Sequence, residues 1–133
     1  MYNVDHVIAL ACEPEQVFEA LTEQRLLTAW FAPQVITVPY QGTIAAFAFE
    51  FDLNFKMELT ELIPPSLVHW TCVDGYEEWV GSEVFFRISK KAGETLLHFI
   101  HQGLRNEEKR EKTEESWYRY LSGLKDQCEK KAG

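Results

Sequence analysis

The chain has 133 residues and a formal net charge of −8; 46% of its residues are hydrophobic and 14% are aromatic. This length suits one domain with its own core, and the composition is too apolar and too aromatic for a disordered segment. No uninterrupted apolar run exceeds six residues, which excludes a membrane-spanning helix. We therefore expect a single domain over residues 1–133.

The charge balance argues against nucleic acid and anionic membranes as partners. Acidic residues outnumber basic ones 21 to 13, and the densest basic stretch, Arg105–Lys112, interleaves glutamates with its cations. The first residues lack the basic and apolar regions of a signal peptide. A cytoplasmic protein is expected.

The cysteines predict neither a disulfide framework nor a metal site. Cys12, Cys72 and Cys128 are widely separated and form no C-x-x-C pair. His98 and His101 are three residues apart, which places them on opposite faces of a strand, so they cannot chelate one metal ion. We expect buried thiols, no metal and no cofactor.

The first third of the chain predicts one strand and two short helices. Residues Val4–Leu10 alternate and are rich in β-branched types, as in a strand. The segment Cys12–Glu15 is typical of a helix start, with an early proline and acidic residues. A second helical stretch covers Glu23–Phe31, and Pro33 and Pro39 follow it.

From Thr43 onward the apolar period changes to two, which predicts an antiparallel meander. Phe47, Phe49 and Phe51 share one face, and a turn at Asn54 precedes the next alternating segment. Clustered carboxylates fall on outward or turn positions and are interpreted as solvated: Glu50, Asp52, Glu77 and Glu78. Further turns are expected at Pro64–Ser66, Asp74–Gly75 and Ala92–Glu94.

The last third predicts one long amphipathic helix. Asn106 is a good N-cap, acidic residues follow it, and the helical pattern continues to about Lys130. One apolar stripe contains Trp117, Leu121, Leu124 and Cys128. A curved sheet can bury its inner face by wrapping around such a helix. The expected fold is therefore α+β.

The order of elements resembles the helix-grip fold of the START/Bet v 1-like superfamily, with two short helices after the first strand. It is similar, more narrowly, to the AHSA1-like (Hsp90 ATPase activator homologue) branch of the SRPBCC proteins. The residues that carry the likeness are Glu13–Thr22, Trp30–Phe31, Glu77–Glu83, Thr95–Gly103 and Glu115–Leu121. The family is functionally diverse, so the resemblance implies the fold more directly than an activity.

The resemblance implies an elongated cavity between the sheet and the long helix that takes an apolar or lipid-like ligand. The alternative is that the inward side chains fill the core. The number of inward rings favours the cavity slightly. The candidate ligand-binding residues are Phe47, Phe49, Met57, Trp70, Phe86, Phe99, His101, Trp117 and Leu121.

Two residues have open alternatives. His101 shares the inner face of the last strand and could bind a ligand or act as an acid or base, or it could be a buried histidine satisfied by the backbone or the helix. Trp79 could cap the cavity, be exposed for a partner, or be turned inward by a bulge at Gly81.

The first hypothesis is a binding module for a small hydrophobic ligand, without catalytic machinery. The alternatives are a polyketide cyclase or hydrolase-like enzyme that uses His101, an Hsp90 co-chaperone-like interaction protein, and a domain with a filled core. Such activators carry an additional N-terminal domain, whereas this sequence opens at the first strand, which weakens the co-chaperone alternative. A homodimer through an exposed sheet edge or the Trp79 region also stays open.

Overall fold

The computed structural model describes residues 2–49 and 54–132. No helix within these residues is both long and apolar enough to cross a membrane. The elements in chain order are β1 (Tyr2–Leu10), α1 (Pro14–Thr22), α2 (Gln24–Trp30), β2 (Gln34–Ile36), β3 (Ile44–Ala48), β4 (Asn54–Ile63), β5 (Leu67–Asp74), β6 (Glu83–Lys91), β7 (Glu94–Leu104) and α3 (Glu107–Ala132).

The described strands form one antiparallel sheet in the order β1-β7-β6-β5-β4-β3-β2. Between β6 and β7, Phe86 pairs with Phe99 and Val84 pairs with His101. All four side chains are buried, because alternate residues of these strands face α3. The predicted helix-grip fold is confirmed.

Helix α3 lies along the inner face of the sheet through its predicted stripe, which is buried. The side-chain oxygen of Asn106 accepts a hydrogen bond from the amide of Lys109 at 3.1 Å, which confirms the predicted N-cap. Helix α2 is fixed to α1 because the indole Nε1 of Trp30 donates to the carbonyl of Ala20 at 2.7 Å.

One local expectation is wrong. Asn54 is not a turn residue: it begins β4 and pairs with Ala48 of β3. The alternation of Phe55 and Met57 extends back to this residue, so the strand ladder includes it. The predictions for Glu50, Phe51 and Asp52 lie outside the described residues.

Candidate functional site

The predicted site residues come together between the sheet and α3. Eight of them are at most 3% exposed, and the ninth, Phe49, is partly buried against the same core. Sequence periodicity therefore predicted which side chains share this space. Whether they bind a ligand stays a prediction. The eight are Phe47, Met57, Trp70, Phe86, Phe99, His101, Trp117 and Leu121.

Phe31 lies at the centre of the aromatic cluster, although no pattern in the sequence predicts it as a site residue. Its ring stacks on Trp117, with centroids 5.5 Å apart and an interplanar angle of 13°, and lies 5.0 Å from Tyr120. It also lies 6.0 Å from Trp70. Phe31 follows α2 directly, and the anchoring of α2 by Trp30 places it there. Its ring occupies the middle of the expected cavity.

A buried hydrogen-bond chain closes one end of the cluster. The indole Nε1 of Trp117 donates to His101 Nδ1 at 3.0 Å, and His101 Nε2 lies 2.7 Å from Ser82 Oγ. An indole nitrogen can only donate, so Nδ1 is the acceptor and the imidazole proton resides on Nε2. His101 Nε2 therefore donates to Ser82 Oγ.

Burial lowers the pKa of His101 to about 3, because the charged imidazolium would lose its solvation. The ring is therefore neutral near pH 7, and both of its nitrogens are engaged. This geometry is that of a buried histidine satisfied by the helix. A ligand could hydrogen-bond to His101 only by replacing Trp117 or Ser82.

Trp79 belongs to this closed end. It is 5% exposed, its ring is nearly parallel to Trp117 at 6.1 Å, and its Nε1 donates to Thr113 Oγ1 at 3.2 Å. Gly81 has φ of +89°, and this left-handed residue lets the chain reverse before β6. The expectation of an exposed Trp79 is wrong, and the alternative that turned it inward is correct.

The cluster reaches the surface next to Trp79, at what we call the mouth pocket, a depression of about 220 Å³. The rings of Tyr76 and Tyr120 are only partly buried here, as is the adjacent Phe49, which lies 5.8 Å from Tyr120. The lining residues are Phe55, Tyr76, Glu78, Trp79, Lys109, Lys112, Thr113, Ser116 and Tyr120.

The rim of the mouth pocket carries proton donors and cations. Burial raises the pKa of Tyr76 and of Tyr120, and the nearby Glu78 raises the pKa of Tyr76 further, so both phenols keep their protons. Lys109 and Lys112 join no ion pair within the described residues. Two lysines against one glutamate give the rim a positive balance in an acidic protein.

One buried polar atom in the cluster is unpaired. Trp70 is fully buried, and its indole Nε1 has no hydrogen-bond partner among the described residues. The ring lies 5.5 Å from Phe47 and 4.9 Å from Phe86. A buried donor without a partner costs about 1–3 kcal/mol, so an acceptor delivered to this position would be stabilised.

Larger depressions lie elsewhere. Two of about 650 and 770 Å³ are lined by charged residues of α3 together with residues of β1 or the loop after it, and neither touches the aromatic cluster described above. A third, of about 290 Å³, contacts Phe47 and Phe55 at the ends of β2, β3 and β4. The mouth pocket differs from these because it joins the rings, the phenols and the lysines.

The family model described as "Activator of Hsp90 ATPase homolog 1-like protein" matches residues 11–129. The chain belongs to this family. Among curated proteins there is no match. The match runs from the loop before α1 to the last turns of α3, and β1 lies outside it.

Solved structures share this fold. The Aha1 dimer from Colwellia psychrerythraea is 25% identical, with a TM-score of 0.88 and 96% of each chain covered. A protein from Mesorhizobium loti is 16% identical, with a TM-score of 0.85, covering 97% of this chain and 98% of its own.

DynU16, a putative protein of the dynemicin biosynthetic locus, is 18% identical with a TM-score of 0.80. The match covers 96% of this chain but 47% of DynU16, so this chain spans about half of that protein. At this identity the likeness shows the fold alone.

Proposed function

We propose that this AHSA1-like domain binds a small ring-containing or apolar molecule that carries a hydrogen-bond acceptor. The observation that carries the proposal is the unpaired indole N–H of Trp70 inside an aromatic cluster that reaches the surface. Apolar sites with a few well-placed polar groups are the usual sites for small molecules.

The route for the ligand runs from the mouth pocket past Phe31 to Trp70. A volume of about 220 Å³ is below the ~300 Å³ at which drug-sized ligand sites begin, so ligand entry requires side chains to move. Phe49 and Tyr120 are only partly buried, so we expect these two rings to move first. Phe31 contacts both rings, and its displacement would expose Trp70.

The mouth residues indicate where a polar end of the ligand lies. The phenols of Tyr76 and Tyr120 donate hydrogen bonds, and Lys109 and Lys112 attract negative charge. An anionic end is therefore expected to stay at the rim while the apolar part enters the cluster.

The test compares two fluorescent probes with the same ring system: anilinonaphthalene sulfonate, which is anionic, and N-phenylnaphthylamine, which is neutral. Both should bind saturably to the folded protein, and the anionic probe should bind more tightly. The Lys109→Gln/Lys112→Gln double variant should reduce this difference. Lys130→Gln, an exposed lysine near the other end of α3, is the matched control.

Trp70→Phe tests the interior half of the proposal, because it keeps a ring and removes the unpaired donor. We expect it to keep the fold and to weaken binding of prodan, a neutral naphthalene probe with a carbonyl acceptor, several-fold, while binding of N-phenylnaphthylamine, which has no such acceptor, stays nearly unchanged. Cooperative thermal unfolding shows that the protein is folded at the temperature of the assay. If neither anilinonaphthalene sulfonate nor N-phenylnaphthylamine then binds saturably, the proposed function is overturned.

An enzymatic function has less support from the geometry. DynU16 belongs to a biosynthetic locus, which keeps a cyclase-like reaction as the alternative. However, His101 is neutral and engaged at both nitrogens, so it is not poised to exchange protons near pH 7. Binding without acid–base chemistry is therefore the function that we propose.

We further propose that the domain self-associates through the β2 edge of the sheet. The Colwellia psychrerythraea relative is a dimer. Around β2, four large apolar side chains are 48–74% exposed, and β2 pairs with β3 alone within the described sheet. These side chains are Ile36, Val38, Tyr40 and Ile44.

Light scattering after size-exclusion chromatography tests this self-association. The unmodified chain should have the mass of a dimer at micromolar concentration, and Ile36→Lys should convert it to a monomer. The control is Val7→Lys, at an exposed position on the opposite edge strand β1. A monomer at every concentration would contradict the proposal without affecting ligand binding.

A further inference from the structure

Two cysteines from distant parts of the chain meet at one end of α3. Cys12 lies in the connection between β1 and α1, and Cys128 lies in the last turns of α3. Their thiols are hydrogen-bonded to each other. The fold thus brings together two groups that their spacing in the sequence does not connect.

Several contacts hold the two segments together. The amide of Ala11 donates to Glu129 Oε2 at 3.0 Å, and Lys125 Nζ donates to the carbonyl of Ala9 at 3.1 Å. Lys125 also pairs with Glu129 at 2.5 Å. The connection that contains Cys12 is therefore fixed against the helical turn that contains Cys128.

The two thiols differ in access. Cys12 is partly exposed and lines the depression of about 650 Å³, whereas Cys128 is 2% exposed. Cys72 is buried in the sheet, where burial raises its pKa to about 11. A dissolved oxidant can therefore reach Cys12 first, with Cys128 beside it and Cys72 protected.

We propose that Cys12 and Cys128 are an oxidation-sensitive pair that a hydroperoxide converts into a reversible intramolecular disulfide. The Cys12 thiolate attacks the terminal peroxide oxygen, the O–O bond breaks, and the alcohol or water leaves with a proton. Cys12 is thereby oxidised to a sulfenic acid. The Cys128 sulfur then attacks the Cys12 sulfur, and the hydroxyl leaves as water with the Cys128 proton.

The surroundings of Cys12 make this reaction slow near pH 7. Burial holds the pKa of Cys12 above its ordinary value, and the carboxylates of Glu129 and Glu13 raise it further. The Cys128 thiol and the Lys125 ammonium act in the opposite direction. Because the thiolate is the nucleophile, the rate of disulfide formation should increase with pH.

The test uses the full chain, reduced, desalted and treated with hydrogen peroxide. Intact mass under non-reducing conditions should fall by the mass of two hydrogen atoms, and a digest should contain one cross-linked peptide that joins Cys12 to Cys128. Cys72→Ser should give the same result, and Cys12→Ser should abolish it. Thiol reductants should restore the original mass.

The same reaction in urea provides the control for folding, since an unfolded chain should give mixed disulfides that include Cys72. The cross-link should also raise Tm, because it restricts the unfolded chain. Higher oxidation of Cys12 without a cross-link would overturn the proposal. A folded protein that gives the same mixture as the unfolded chain, or a Tm that falls on cross-linking, would also overturn it.

Discussion

Two adjoining parts of the aromatic cluster, the closed end and the mouth pocket, use their rings in opposite ways. At the closed end, Trp79, Trp117 and His101 are at most 5% exposed, and each of their ring nitrogens has a hydrogen-bond partner. At the mouth, Tyr76 and Tyr120 are partly exposed beside two lysines that join no ion pair in the part of the chain that the structure describes. The comparison teaches that ring content alone does not mark a binding site.

The difference between the closed end and the mouth pocket lies in whether the polar groups already have hydrogen-bond partners inside the protein. A buried polar atom that is satisfied inside the protein resists the entry of a competing group, because any replacement must restore the same bond. Phenols and ammonium groups at the surface can exchange water for ligand at little cost. The closed end is therefore expected to determine stability, and the mouth is expected to determine binding.

The largest effect is expected for Trp117→Ala, which removes the ring that contacts Phe31 and leaves His101 Nδ1 without its donor. Truncation of a buried tryptophan costs about 3–5 kcal/mol of unfolding free energy. Trp117→Phe, the matched control, should lose about 1–3 kcal/mol because it keeps most of the ring contacts. Chemical denaturation measures both. Equal losses would remove the ring contacts from the account, because both variants lose the hydrogen bond to His101.

The pH dependence of stability tests the neutral state of His101. Its folded pKa of about 3 lies below the ordinary value of 6.5, so the unfolded chain binds a proton first as the pH falls. Unfolding free energy should therefore be greatest above pH 6.5 and decrease as the pH falls towards 3.

Between pH 6.5 and pH 4.5 this single proton contributes a decrease of about 2–3 kcal/mol. The measurement is urea denaturation across that range, with His101→Gln as the reference because it does not titrate. The contribution of His101 is the difference between the two proteins in the slope of unfolding free energy against pH. Parallel slopes would contradict a buried neutral imidazole.

A smaller effect on stability is expected for Tyr120→Ala at the mouth. The ring is partly exposed, so its removal should lower the unfolding free energy by about 1 kcal/mol. Probe affinity should change more than stability, since the ring lines the pocket. Tyr120→Phe separates the ring from its hydroxyl group. A stability loss as large as that of Trp117→Ala would erase the distinction between the closed end and the mouth pocket.

The smallest effect on stability is expected for Lys112→Gln. An exposed lysine without an ion pair in the described residues should change the unfolding free energy by no more than about 0.5 kcal/mol. The affinity for the anionic probe should nevertheless fall, while that for the neutral probe stays constant. Equal changes for both probes would show that charge at the rim is not involved.

Period and capping signals predicted much of this fold because they are local. Alternation placed Phe86, Phe99 and His101 on the inner face, and Asn106 marked the start of α3. Asn54 is a residue type that favours turns, but it lies in the alternating segment and pairs with Ala48 of β3. The turn prediction is wrong because strand pairing outweighs the turn preference of the asparagine side chain.

The site residues that the sequence does not predict owe their positions to tertiary structure. Phe31 follows a short helix whose position is set by the bond between Trp30 and Ala20, and no local pattern predicts where its ring lies. Ser82 follows a turn with a left-handed glycine. The contact between Cys12 and Cys128 requires the whole chain to fold first.

The indole N–H signals of the four tryptophans test the central claim most directly. In a nitrogen-15 spectrum, Trp70→Phe assigns the Trp70 signal, and Trp30, bonded to Ala20, provides an internal reference. Saturating prodan, a neutral naphthalene probe with a carbonyl group, should shift the Trp70 signal further than the Trp30 signal, because the Trp70 N–H gains the carbonyl oxygen as an acceptor. A bound probe that leaves the Trp70 signal unmoved would contradict ligand binding within the cluster.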